Sequence, residues 1–150
     1  MLLISNAGNL HINQECANYQ SALDKLYSTI EDLFKVQVQA NLITITRKNI
    51  YLHDQRINSC TVEGLDLIIT KTSAGKRIIQ LIPRSTIFLS ENAMYRVDMY
   101  VAERNYRLLF VNKNGPHRGP IENYVWKITV PKYHKTIEIT EAILTSILKL

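Results

Sequence analysis

The feature that most constrains this chain is a change of hydrophobic period near residue 35. From Gln14 to Lys35 the apolar residues Tyr19, Leu23, Leu26, Tyr27, Ile30, Leu33 and Phe34 recur at three- and four-residue spacing, with no Gly or Pro among them. That spacing predicts a helix capped by Asn13. Its apolar stripe is opposed by Asp24, Lys25, Ser28, Glu31 and Asp32, so it must pack on something larger.

Beyond Lys35 the period falls to two. Val36, Val38 and Ala40 alternate with Gln37 and Gln39. Leu42–Thr46 and Ile50–His53 read as short strands joined by Arg47, Lys48 and Asn49. Leu65–Lys71 and Arg77–Ile82 form the next pair, which Pro83 is expected to end. Thr86–Ser90 is a short apolar run. Met94–Glu103 and Tyr106–Val111 predict a hairpin turning at Arg104 and Asn105. A loop with two Gly-Pro pairs spans Asn112–Pro120, and Tyr124–Val130 is a further strand stopped by Pro131. Thr136–Ile139 is a short strand, and Thr140 caps a terminal helix that buries Ile143, Leu144, Ile147 and Leu148.

This order predicts a single α+β domain over residues 1–150. A mainly antiparallel sheet of six to eight strands is joined to a long N-terminal helix and a short C-terminal helix. A length of 150 residues is enough for one real core. No apolar run approaches the ~20 residues of a membrane helix. A basic segment is missing before the short apolar run of Met1–Gly8, so no secretory signal is expected. Cys16 and Cys60 are accordingly expected as reduced thiols of a cytoplasmic protein, packed as small core residues.

The charge is lopsided. Residues 1–75 carry six Lys/Arg and seven Asp/Glu, and residues 76–150 carry twelve and six, a net of −1 against +6. Within 104–135, Arg104, Arg107, Lys113, Arg118, Lys127, Lys132 and Lys135 face Glu122 alone. Such a field draws an anionic partner, whether an acidic protein surface, RNA or an anionic membrane. Tyr106, Phe110, Tyr124, Trp126 and Tyr133 interleave with these cations. The mixture suits single-stranded nucleic acid, with Tyr106, Tyr124, Trp126 and Tyr133 as stacking rings. The same alternate spacing equally suits strand residues packed in a core.

Motifs for phosphate loops, zinc and nucleophile elbows are lacking, so neither a cofactor nor a metal is expected. The route to catalysis closest to hand is His117 with His134, one as base and one as acid in RNA cleavage. Two functions follow: a non-enzymatic binding protein that engages an acidic macromolecule, most simply a protein, through its basic C-terminal half, or an RNA-binding or RNA-cleaving module on the same surface. A third arrangement, a ligand cup formed by a curved sheet around the helix, is compatible with the pattern.

Overall fold

The computed structural model describes residues 2–54, 58–72, 75–85, 93–115, 119–130 and 135–148. Helix α1 (Leu2–Leu33) is followed by a short α2 (Lys35–Gln39) and by strands β1 (Ile43–Asp54), β2 (Asn58–Thr72), β3 (Gly75–Arg84), β4 (Ala93–Val101), β5 (Arg104–Asn112), β6 (Tyr124–Val130) and β7 (Lys135–Glu138). Helix α3 (Glu141–Leu148) closes the order. The seven strands form one antiparallel meander, β1-β2-β3-β4-β5-β6-β7. The α+β architecture with a long first and a short last helix agrees with the periodicity.

Helix α1 lies on one face of the sheet. Tyr19, Ala22, Leu23, Leu26, Tyr27 and Ile30 are all buried, as the stripe requires. They meet the alternate residues Leu65, Leu67, Ile79, Leu81, Tyr95, Val97, Met99, Leu108, Phe110, Trp126 and Ile128. The Trp126 Nε1–H donates to the Ala22 carbonyl at 2.7 Å, which joins β6 to α1. The Tyr19 ring stacks on Tyr95 at 4.2 Å, and its hydroxyl lies 2.8 and 2.7 Å from the carbonyl oxygens of Arg84 and Arg96. Helix α3 covers the same face. Its Leu144 and Leu148 are buried, and Arg77, on the Ile79 side of β3, donates to the Leu148 carbonyl at 3.1 Å. The Thr140 hydroxyl accepts the Ile143 N–H at 3.3 Å, the expected cap.

Several local expectations change. The helix begins at Leu2 rather than after Asn13. Residues 35–39 are helical, not extended, and leave Val36 73% exposed. They end in a Schellman arrangement, with Asn41 N–H on Val38 O, Leu42 N–H on Gln37 O, and Asn41 at φ 61°. Strand β1 runs through Arg47 and Lys48 without a turn, because both cations are neutralised. Arg47 pairs with Asp24, Glu31 and Glu63, and Lys48 with Asp66. Pro83 stays inside β3, because β2 pairs with β3 only from Leu65 onward and no ladder partner there needs its missing N–H. The hairpin turns two residues earlier, at Ala102 (φ 54°) and Glu103, with Val101 opposite Arg104. The Thr86–Ser90 run lies outside the described residues.

The largest correction concerns the cysteines. Cys16 and Cys60 are joined in a disulfide across 44 positions, not held as free thiols. The cytoplasmic expectation loses the support it took from reduced thiols. The bond forms because the β1–β2 ribbon curls where it outruns β3. Before Leu65 the opposite set of side chains, Ile50, Leu52, Cys60 and Val62, turns to the core while the ladder keeps its register. Gly64 sits at this bend. A Cβ there would come within 3.0 Å of both Ile50 and the Leu81 carbonyl.

Burial pushes the hydroxyls of Tyr19 and Tyr27 well above the ordinary phenol range, with nearby phenols adding to the rise at Tyr19 and nearby carboxylates at Tyr27. Both stay protonated in the fold while the same groups ionise in the unfolded chain near the ordinary phenol value of 10.0. Stability is therefore expected to be intact below about pH 10 and to fall as pH rises beyond it. Phenolate absorbance followed together with helix signal checks this: the two buried phenols should titrate only with unfolding.

Candidate functional site

Of the cations singled out in the sequence, Arg107 and Lys127 stand on the sheet face that carries no helix. The ladder places them in two adjacent rows. One row runs Ile82, Asp98, Arg107, Thr129, Thr136, and the next runs Arg84, Arg96, Leu109, Lys127, Glu138. At the centre is Asp98, 4% exposed. Arg84 Nε donates to one of its oxygens and Arg96 Nε to the other, each at 2.9 Å, and Arg96 Nη2 adds a bond at 3.2 Å. Arg84 also bonds the Tyr100 hydroxyl and lies over that ring, 5.9 Å from its centroid. Burial opposes the Arg84 charge, but the bonds to Asp98 and Tyr100 hold its affinity for the proton above the ordinary value. Arg84 and Arg96 thus hold the buried Asp98 carboxylate, Arg107 stands opposite Asp98 on β5, and Lys127 lies one strand further on in the second row, opposite Glu138.

Other members of the basic stretch lie elsewhere. Arg104 and Lys113 flank opposite ends of β5, roughly 30 Å apart along an extended chain. Lys135 starts β7, where its backbone alone is described. Arg118, Lys132, Tyr133, His117 and His134 fall outside the described residues, so no meeting of the two histidines is described. Tyr106, Tyr124 and Trp126 belong to the core, only 5%, 6% and 7% exposed. They do not stand open for bases to stack on. Phe110 packs between Tyr124 and Trp126, with centroids at 5.5 and 5.1 Å, and these rings serve the helix–sheet contact.

Among the described residues, none of Arg104, Arg107, Lys113 and Lys127 makes an ion pair or side-chain hydrogen bond. Arg47, Lys48, Arg84 and Arg96 are committed to carboxylates. The sequence reading missed Arg84, Arg96, Asp98 and Tyr100. The available signal was Asp98 itself, a carboxylate in mid-strand with Arg96 and Tyr100 two residues to either side.

No family model, curated protein or solved structure matches this chain. Its chemistry is therefore argued from its own residues. Among the described residues no group of His, Cys, Asp and Glu is placed to hold a metal, and no helix is long and apolar enough to cross a membrane. The inner face of the sheet is filled by α1 rather than forming a cup around a ligand. A surface cavity of about 550 Å³ lies instead beside the end of α1, between Glu31, Asp32 and Lys35 on the helical side and Ile45 and Arg47 on β1. Arg47 is held there by Asp24 and Glu31 at 2.8 and 2.9 Å and lies over the Tyr27 ring at 5.4 Å. Burial opposes its charge, and the two carboxylates more than offset that.

Proposed function

We propose that this is a binding protein without a catalytic role, which engages an acidic partner protein through the helix-free face of its sheet. The observation that carries the reading is the pair Arg107 and Lys127. They are neighbours on adjacent strands, free of intramolecular ion pairs, and flanked by the Arg84–Asp98–Arg96 cluster. Cations left unpaired are available to a partner without first breaking an internal contact. A β-sheet holds them at fixed spacing, which lowers the entropy lost on binding. The acidic cluster of Asp24, Glu31, Asp32 and Glu63 belongs to the other side of the molecule, so the molecule's field orients an approaching acidic surface toward the basic face. RNA is the alternative occupant. It is less well supported because Tyr106, Tyr124 and Trp126, three of the four rings that would stack on bases, are in the core.

The test uses an acidic polypeptide, polyglutamate, and a single-stranded RNA as probes. The double reversal Arg107→Glu/Lys127→Glu is expected to weaken polyglutamate binding by roughly tenfold or more, about 1.4 kcal/mol. Lys25→Glu/Lys35→Glu on the other side should change it little. Rising salt should weaken binding steeply. Equal losses from the two double variants would remove the helix-free face from consideration, and tighter binding of RNA than of polyglutamate would transfer the face to the alternative.

A further inference from the structure

The end of the β1–β2 ribbon is built differently from the rest of the sheet. Residues 58–64 of β2 pair with β1 on one edge and, among the described residues, with no strand on the other, since pairing with β3 starts at Leu65. Side chains of α1 take the missing strand's place. The Gln20 amide oxygen accepts the Glu63 N–H at 2.9 Å, and the Tyr27 hydroxyl donates to the Glu63 carbonyl at 2.6 Å. Further toward the ribbon tip, the connection is covalent. Cys16 joins Cys60, and the Cys16 sulfur lies 3.7 Å from the Thr61 carbonyl oxygen.

Anchoring of α1 changes at the same level. From Tyr19 onward the helix is held by buried side chains and by the bonds to Arg84, Arg96 and β6. Before Tyr19, Gln14 bonds only to Asn18 of its own helix, and Cys16 is the described residue that reaches the sheet. The two ends of the bond differ: residue Cys16 is partly exposed at the border of the core, while Cys60 is 4% exposed beside Leu52 and Val62.

We infer that the Cys16–Cys60 bond is a redox latch, which a dithiol reductant opens to release the start of α1 from the ribbon tip and uncover the unpaired edge of β2. The inference stands independently of the basic face. A thiolate of the dithiol attacks the sulfur of Cys16, the less buried of the two residues, forming a mixed disulfide and releasing Cys60 as a thiolate, which takes up a proton. The second thiol of the reductant then attacks its own mixed-disulfide sulfur and releases Cys16. The bridge ends as two thiols, and the dithiol ends as its cyclic disulfide. Opening is local, because the hydrogen bonds of Gln20 and Tyr27 and the core around Tyr19 lie past the latch. The uncovered segment, with Leu52, Val62 and the free backbone edge at Thr61, has the groups that accept an added strand.

The experiment is hydrogen exchange by mass spectrometry on the full chain, oxidised, reduced with dithiothreitol, and as Cys16→Ala/Cys60→Ala. Reduction is expected to speed exchange about tenfold or more at residues 14–18, 49–54 and 58–63. Residues 65–70, 77–84 and 95–101 should keep their protection, and reoxidation should restore the original pattern. The double variant should match the reduced protein with or without dithiothreitol. Unchanged exchange at 58–63 on reduction would overturn the latch. Loss of protection throughout the sheet would also overturn it, because the bond would then be a staple of the whole fold. Should the double variant fail to fold, the reduced wild-type chain alone decides between these outcomes.

Discussion

Trp126→Ala is expected to remove about 4–5 kcal/mol of stability, a large fraction of the roughly 5–15 kcal/mol that a domain possesses. Two losses combine. The indole is 93% buried by its 7% exposure, and truncation leaves a cavity beside Phe110 that the sheet cannot close without moving β5 and β6 together. The bond from Nε1 to the Ala22 carbonyl also disappears, and with it a direct link between residues 104 positions apart. Trp126→Phe separates the two contributions, since it keeps most of the apolar volume and loses the donor, for about 1–2 kcal/mol. Urea unfolding followed by far-ultraviolet circular dichroism measures both. Fluorescence cannot follow the variants, because Trp126 is the single tryptophan. A loss under about 1 kcal/mol for the alanine variant would mean that the ring is not part of the core.

Asp98→Ala is expected to cost about 3 kcal/mol, for the opposite reason. The carboxylate contributes no apolar packing. It separates two guanidinium groups, and without it Arg84 and Arg96 face each other with the carboxylate they share removed. Removing one partner of a buried ionic cluster costs about 3–5 kcal/mol. The lower end applies because the Arg84 side chain is 37% exposed and can turn its charge to water. Asp98→Asn should cost less, since one amide oxygen still accepts a hydrogen bond. Replacing all three groups with Leu and Met should recover much of the loss. If Asp98→Ala and the triple replacement were equally unstable, the cluster would matter for its shape and not for its charges. The same variants bear on the proposed partner face, because disorder at Arg84 and Arg96 would reach Arg107 through the register pair with Asp98.

Much of the fold was legible because its cues are local. The three-and-four spacing from Tyr19 to Phe34 marks a helix wherever it is found, and Tyr95, Val97, Met99 and Val101 mark a strand buried on one face. Thr140 before Glu141 signals a helix start by the chemistry of one hydroxyl. Where local cues misled, a distant group had neutralised them. Arg47 and Lys48 look like a turn until Asp24, Glu31, Glu63 and Asp66 are brought to them. Val36 and Val38 look like a strand until the Asn41 cap closes a helical turn. The site was less legible than the fold. Neighbouring positions in a basic stretch do not stay neighbours in an antiparallel sheet, since alternate residues of β5 point to opposite faces and its ends lie far apart.

The sequence by itself determined the α+β class, the long first and short last helix, the mainly antiparallel sheet, and the apolar side of β4 and β6. These follow from side-chain spacing within a dozen residues, which each segment carries whatever surrounds it. Only the tertiary structure decided that Cys16 meets Cys60, that Tyr106, Tyr124 and Trp126 are core, and that Arg107 and Lys127 share a face with Arg84, Asp98 and Arg96. Those pairings depend on how far the β1–β2 ribbon outruns β3 and how it curls against α1. That curl is settled by contacts between residues 44 and more positions apart, which no local spacing encodes.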